Sequence, residues 1–584
     1  MSAVVARDVP QEAAAALVAD GVPPLLARLY AARGIRSASG LTAELAQLAV
    51  PGTMLNLRDM AGRLADAIAS RRKLLIVADY DADGATACAV GMRALRAFGA
   101  QVEFLVPNRF EYGYGLSPEI VRLARERFRP DILITVDNGI ASLEGVAEAS
   151  RLGMETFITD HHLPGTQLPQ AACIINPNQP GCTFPSKHLA GVGVMFYLML
   201  ALRAELRGRG AFGQRHKSQG TSHQEGKMAS PSLPGDEPNL ADLLPLVALG
   251  TVADVVPLDH NNRILVHQGL ARMRAGRMPA GIAALFQAAG CDPRQATARD
   301  LGFALGPRLN AAGRLTDMAL GIECLVTDDA ASALAIATRL DRLNRERRVI
   351  ESGMQDEALS AVDDRDFGES YSLSLFDPGW HQGVIGIVAG RIKERFHRPA
   401  IAFARGNPGE IRGSGRSIPA LHLRDALDQV AVRHPGLVLK FGGHAAAAGL
   451  TVQESDFGRF RSAFEETARR LLTPADLNRV IETDGPLEPG DCTLEAIAML
   501  SAPVWGQGFP PPRFCNEFEV AAQRIVGGKH LKLTLRHGRL RIEAIRFNCV
   551  EAAPGRIRAV HQPAVNVYNG RASVQLNIEH WEAA

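Results

Sequence analysis

Lysine is scarce in this 584-residue chain. It supplies 8 of the 64 basic residues, which leaves 56 arginines. An arginine excess fits codon bias or phosphate recognition, because guanidinium forks bind phosphate bidentately, and composition leaves both open. Net charge is also small, +2 from 64 Lys+Arg against 62 Asp+Glu, so no global field advertises a polyanionic partner. The eight cysteines include no C-x-x-C pair. That argues against a cysteine zinc site and for the reduced core thiols of a cytosolic protein. Long apolar runs are missing too. The longest, LAGVGVMFYLMLAL at 189–202, falls short of the ~18 residues of a membrane span and reads as a buried helix. The N-terminal MSAVVARDVPQEAAAALVAD carries acids inside its apolar part, so it is not read as a secretory signal. These absences predict a soluble cytoplasmic protein without a membrane partner. A chain that is 46% hydrophobic and 22% charged is also no disordered polymer, collagen-like fibre or small disulfide scaffold.

What is present is an alternation. Residues 1–70 read as an N-terminal helical segment. Then LLIVA (74–78), VEFLV (102–106), ILITV (132–136), TFIT (156–159) and ACII (172–175) alternate with helical patterns. Continuous apolar strands between helices mean an α/β domain with a parallel sheet covered on both faces, spanning 71–327. Residues 207–239 are rich in Gly, Ser, Gln and Pro and read as a disordered insertion. A long polar helix is predicted over 328–365, with its charges on a solvated face. A second α/β domain follows at 366–472, with Gly-rich stretches RGSGRS (412–417) and FGGHAAAAGL (441–450). Short alternating strands then predict a small OB-like β-barrel within 473–584. Residues 515–584 hold ten Lys/Arg against six Asp/Glu, a hint of a nucleic-acid surface.

The carboxylates fall where ligands bind. LLIVA runs into Asp79, Asp81 and Asp83; ILITV runs into Asp137; TFIT runs into Asp160, His161 and His162. In an open parallel sheet, ligands bind beyond the carboxyl ends of the strands. Three strand ends therefore deliver five Asp and two His to one rim, and ALGTVADVVPL offers Asp254 later. Crowded acids raise one another's pKa unless cations neutralise them. Asp with His is a ligand set for Mn2+ or Mg2+, and the count suits two metals about 3.5–4 Å apart, as in many phosphatases and nucleases. Taken singly, Asp83 or Asp137 would read as a helix cap. DYDADG also imitates a calcium loop, but it lacks the closing Glu and opens a helix.

VADYDADGATA (77–87), VDNG (136–139), ITDHHLP (158–164) and GTVADVVPL (250–258) resemble the successive motifs of the DHH phosphoesterase superfamily. PNRFEYGYGLS (107–117), LAGVGVMF (189–196), GPRLNAAGRL (306–315), GWHQGVIGIVAGRI (379–392), RGSGRSI (412–418) and FGGHAAAAGL (441–450) narrow the resemblance. Together they resemble its RecJ branch, the bacterial single-strand-specific 5′→3′ exonucleases. GQGFPPPRF (506–514) resembles the lead-in to that family's OB-fold.

The resemblance implies two divalent ions, Mn2+ or Mg2+, on Asp79, Asp81, Asp83, Asp137, His161 and Asp254. It puts His162 on the scissile phosphate, with Asp160 orienting His161 from behind. Gly443, His444, Ser414 and Arg416 match phosphate contacts of the DHH-associated domain; Arg308, Asn310 and Arg314 match a further backbone-binding motif. Arg109, with Ser414 and Arg416 in a Gly-flanked loop, would form a 5′-phosphate pocket, and Trp505 joins the nucleic-acid candidates. The implied activity is metal-dependent 5′→3′ degradation of single-stranded DNA to mononucleotides in recombination and repair, with single-strand-binding protein and a RecQ-type helicase as partners. Two other readings remain: a phosphodiesterase or phosphatase for short oligonucleotides, against which the 470–584 extension argues, and a replication scaffold with a decayed site, against which the full ligand set argues.

Overall fold

The structure, a computed structural model, describes residues 3–108, 115–212, 236–363 and 369–584. Two compact units emerge. One is Arg7–Asp341 with Thr483–Ala584; the other is Arg342–Glu482 with the N-terminal strand Ala3–Ala6.

The first unit holds the parallel sheet. Its spatial order is Gln101–Leu105, Lys73–Ala78, Ile132–Val136, Glu155–Thr159, Cys173–Ile175, with every pairing parallel. The strands are buried on both faces because helices cover both. The order reverses between Lys73–Ala78 and Ile132–Val136, and such a switch point opens a crevice at the carboxyl ends of its strands. Register aligns the ends: Ala78 pairs with Val136, and Val136 with Thr159. Asp79, Asp137 and Asp160 therefore follow the last paired residues of three neighbouring strands.

The same unit carries a closed five-stranded barrel, Phe514–Val526, His530–His537, Leu540–Arg546, Arg571–Ala583 and Arg556–Tyr568 in spatial order. All its pairings are antiparallel except the one joining Leu540–Arg546 to Arg571–Ala583. Alternate residues, among them Leu531, Leu533, Leu535, Ile542 and Ala544, fill its core.

In the second unit, a mixed sheet runs Lys440–Gly443, Ala447–Gln453, Glu410–Arg416, Ala400–Arg405, Leu373–Phe376. Phe403, Phe460 and Phe464 sit in its core.

Four local expectations change. The N-terminal segment is not wholly helical, because Ala3–Ala6 is a strand paired with Val480–Thr483. RGSGRS is a strand rather than a loop; its glycines are required because a Cβ at Gly413 would meet the Phe403 ring at 2.5 Å. The insertion is shorter than 207–239 at its start: the helix Gly191–Gly208 takes in its first residues, and Ala211 and Phe212 are buried. Residues 213–235, on which the expectation of disorder falls, lie outside the described residues.

The long helix, Ala330–Asp363, is not a solvated strut all round. Asp341, Asn344, Arg347 and Glu351 are buried on it, in two separate pairings: Arg308 with Asp341, and Arg347 with Glu351. Among the described residues, no helix is long and apolar enough to cross a membrane. All eight cysteines are free thiols.

Candidate active site

Each acid arrives by its own local device. Asp81 caps the helix Ala82–Ala97, its Oδ1 accepting from the amides of Asp83 and Gly84 at 2.9 and 3.0 Å. Asp83 lies in the first turn, where its two oxygens accept from the Gly191 and Val192 amides that open the next buried helix, at 2.6 and 2.9 Å. Asp137 turns off its strand in the left-handed region, φ 63, a conformation Asp tolerates better than most residues. Gly191 must be glycine here, because a Cβ would stand 2.6 Å from Asp137 Oδ1. Asp254 ends the helix Leu244–Ala253.

These groups converge. His161 Nε2 lies 3.1 Å from Asp137 Oδ1, 3.5 Å from Asp254 Oδ2 and 4.0 Å from Asp83 Oδ2. Three sets each bring one ligand atom per residue within 4.8 Å of one another: Asp79 with Asp81 and Asp137; Asp83 with His161 and Asp254; Asp137 with both histidines.

The electrostatics test whether a metal belongs here. Burial first, and then the charge of Asp83 and the neighbouring acids, push the Asp137 pKa well above the carboxylate range. Burial and Asp83 do the same to Asp254. Asp83 is lifted by burial and Asp81 to about 7, against the pull of its two amides. His161 goes the other way, down to about 4, through burial and the neighbouring charge of His162. It is thus neutral at pH 7 and bonds the Leu189 backbone. Asp137 Oδ1 and His161 Nε2 are buried, and among the described residues neither has a hydrogen-bond partner. An acid oxygen and an imidazole nitrogen facing each other without a hydrogen bond fit a divalent cation.

His162 differs from its neighbour. Its Nδ1 is 2.8 Å from Asp160 Oδ1, and 44% of its side chain stays exposed. Desolvation works against its charge, but the Asp160 bond and the charges of Asp160, Asp79 and Asp254 outweigh it and lift the pKa to about 9. Asp160 therefore orients the His162 ring, not that of His161 as the sequence suggested. From His161 it takes only the backbone amide, at 2.7 Å. Burial alone would raise Asp160, yet His162 and the Ile140 amide hold it below the ordinary value. Two residues that sequence reasoning missed complete the arrangement. Asn178 Nδ2 donates to the His161 carbonyl at 2.6 Å, and Asn176 Nδ2 to the His162 carbonyl at 2.9 Å. The signal was the N-P-N of INPNQ (175–179), directly after the last sheet strand.

Comparison with known proteins agrees with this geometry. Residues 73–221 match the DHH family N-terminal domain, 368–470 the DHHA1 domain and 483–580 the RecJ OB domain. The single-stranded-DNA-specific exonuclease RecJ of Dickeya dadantii is 48% identical over 96% of both chains. This chain belongs to the RecJ family. RecJ from Thermus thermophilus in complex with Mn2+ has the same fold, with a TM-score of 0.79 and 29% identity over 100% of this chain and 79% of that one. Its complex with Mg2+ gives a TM-score of 0.74 at 28% identity, over 100% and 78%. The acid–histidine cluster of this RecJ-family chain is thus able to hold a divalent metal ion.

The nucleic-acid candidates of the RecJ resemblance fare unequally. Arg109 lies outside the described residues. Arg308 is buried, bonded to Asp341 at 2.8 Å and to the Ala304 carbonyl, so its guanidinium is engaged inside the fold and not presented to phosphate. Asn310 Oδ1 accepts from the Ala82 amide at 2.8 Å, which braces the acid loop. Arg314 is half-buried on the same helix, Gly306–Leu315. Ser414 and Arg416 do come together, with Nη1 of Arg416 3.3 Å from the Ser414 hydroxyl beside Gly386. Gly443, at φ 144, ends the strand Lys440–Gly443, and His444 opens the exposed hairpin turn that follows. Trp505 is committed elsewhere. Its indole N–H donates to the Leu500 carbonyl at 2.7 Å, and its ring packs between Phe509, Tyr30 and the Arg33 guanidinium.

Proposed function

We propose that the chain is a metal-dependent exonuclease that degrades single-stranded DNA from its 5′ end to mononucleotides, in recombination and repair. The observation that carries the reading is the buried pair Asp137 Oδ1 and His161 Nε2, 3.1 Å apart among further acids, with no hydrogen bond from the described residues to relieve them. Asp79, Asp81, Asp83, Asp137, His161 and Asp254 would hold two Mn2+ or Mg2+ ions, which activate water and polarise the phosphoryl group.

The remaining work falls to side chains of this protein. His162, kept protonated by Asp160, presents a cation at the open side of the cluster, where charge gathers on the phosphoryl oxygens. Asn176 and Asn178 hold the backbone of both histidines. Ser414 and Arg416 would bind a terminal 5′-phosphate and so set polarity, and Gly443 and His444 of the same unit would contact the strand; Arg109, Asn310 and Arg314 would bind nucleic acid by the family resemblance. The barrel would track the backbone of a single strand, where salt weakens phosphate contacts. Action in the cytoplasm alongside single-strand-binding protein and a RecQ-type helicase rests on the family resemblance alone.

Digestion of 5′- and 3′-labelled single strands with Mn2+, Mg2+ or chelator tests the chemistry. Turnover in chelator would refute it. For polarity, Arg416→Ala should lose most of the preference for 5′-phosphate over 5′-hydroxyl ends in kcat/KM, and equal slowing on both ends would remove the pocket from the proposal.

A further inference from the structure

Asp254 is the one candidate ligand that follows a helix and not a strand of the parallel sheet. The next residue, Val255, is held at φ 63. A β-branched residue there is a genuine outlier, and such a conformation persists only where its surroundings over-determine it.

Val255 itself is exposed, but two and three residues on, Pro257 and Leu258 are covered by the GQGF turn that leads into the barrel domain. The Leu258 amide donates to the Gln507 carbonyl at 2.7 Å. Gly506 and Phe509 close the turn by exchanging backbone hydrogen bonds, at 2.9 and 3.1 Å. A Cβ at Gly508, itself at φ 70, would stand 3.0 Å from Pro257 Cβ, and one at Gly506 would stand 2.6 Å from Leu258 Cδ1. Backbone therefore lies directly on backbone. Phe509 anchors the turn, buried 5.2 Å from Trp505 and 4.4 Å from the Arg263 guanidinium. Arg263 in turn donates to the Leu258 carbonyl at 3.0 Å. From the other side, Asn262 Nδ2 donates to the carbonyls of Pro257 and His188, at 3.0 and 2.7 Å. His188 immediately precedes Leu189, whose backbone bonds His161.

We propose that Gly506, Gln507, Gly508 and Phe509 are positioning residues for Asp254. Docking of the barrel's lead-in on Pro257 and Leu258 holds Val255 in its strained turn and so holds the Asp254 carboxylate beside His161. The barrel domain then acts on metal occupancy as well as on DNA. The inference rests on the reading of Asp254 as a metal ligand.

The test uses the full chain, stripped with chelator. Mn2+ binding is measured by calorimetry, melting by circular dichroism, and kcat and KM on a single strand. Gly508→Ala should bind Mn2+ roughly tenfold more weakly, equivalent to about 1.4 kcal/mol, and should lose kcat while KM for the strand moves less than about twofold. Adding Val255→Asn, which tolerates positive φ, should restore most of the Mn2+ affinity. A turn that served only folding would not give this rescue. Should Gly508→Ala fail to fold, Phe509→Leu replaces it with the same expectation. Asp254→Asn separates the two layers. If it binds Mn2+ like the native chain, the ligand reading itself falls. If it binds poorly while folded Gly508→Ala and Phe509→Leu bind normally, the coupling is overturned.

Discussion

Asp137 is where backbone and charge meet most sharply. Its left-handed backbone aims a buried oxygen at His161, and four neighbouring acids oppose its ionisation. Asn tolerates the same backbone and keeps the shape, so Asp137→Asn isolates the charge. If Asp137 holds metal as proposed, turnover should fall by more than about a hundredfold. The metal-free protein should melt higher than native, because repulsion among the acids is relieved. Near-native turnover by the folded variant would return Asp137 to a purely local backbone role. Neighbouring residues show the limits of a motif at this scale. In GPRLNAAGRL, Arg308 and Asn310 stand two apart, yet one pairs with Asp341 inside the fold and the other braces Ala82. Their string reads the same whether a side chain faces substrate or core.

At the scale of elements, the barrel contains a pH-sensitive joint. His561 is buried, and Asn516 Oδ1 accepts from its Nε2 at 3.0 Å and from the Leu487 amide, also at 3.0 Å. Burial first, then His537, depress its pKa to about 3 from the ordinary 6.5. The unfolded chain therefore takes up a proton that the folded barrel refuses. The stability this group contributes is whole above pH 6.5 and is lost as pH falls toward 3. By pH 5 the loss is about 2 kcal/mol. His561→Gln keeps a donor for Asn516 without a titrating ring, so its denaturation midpoint should fall less between pH 7.5 and 5 than that of the native chain. Parallel curves would remove His561 as the cause.

For the whole molecule, the acid–histidine cluster is a reservoir of instability. Asp83, Asp137 and Asp254 all bind protons more tightly folded than unfolded. The stability such groups give is complete below the ordinary value of 3.8 and is lost as pH rises through their folded values, about 7 for Asp83. A chelated protein should thus lose melting temperature from pH 6 to pH 8. Mn2+ replaces the protons and contributes about 2.7 kcal/mol at a hundredfold excess over its dissociation constant. The gap between Mn2+-loaded and chelated melting temperatures should therefore widen from pH 6 to pH 8. A gap that is constant or narrows would deny that the metal relieves these acids.

The sequence by itself determined the parallel sheet, because continuous apolar runs of strand length between helical patterns have few other solutions. It determined the acid rim as well, since a carboxylate that ends a sheet strand must stand at the crevice. Tertiary structure decided everything that depends on which side chains meet. Asp160 reached His162 rather than His161, Asn176 and Asn178 came in under the histidines, and Trp505 turned into an aromatic cluster with Tyr30 and Phe509. Burial of the charges on Ala330–Asp363 was equally invisible, because groups on other elements complete it: Arg308 for Asp341, and Arg391 for Glu351, which also pairs with Arg347 one turn away on the same helix. The physical reason is range. Periodicity and strand ends are set by neighbours along the chain, whereas the partner a side chain takes is set when the layers pack, whether it lies two residues away, as His162 does from Asp160, or 33, as Asp341 does from Arg308.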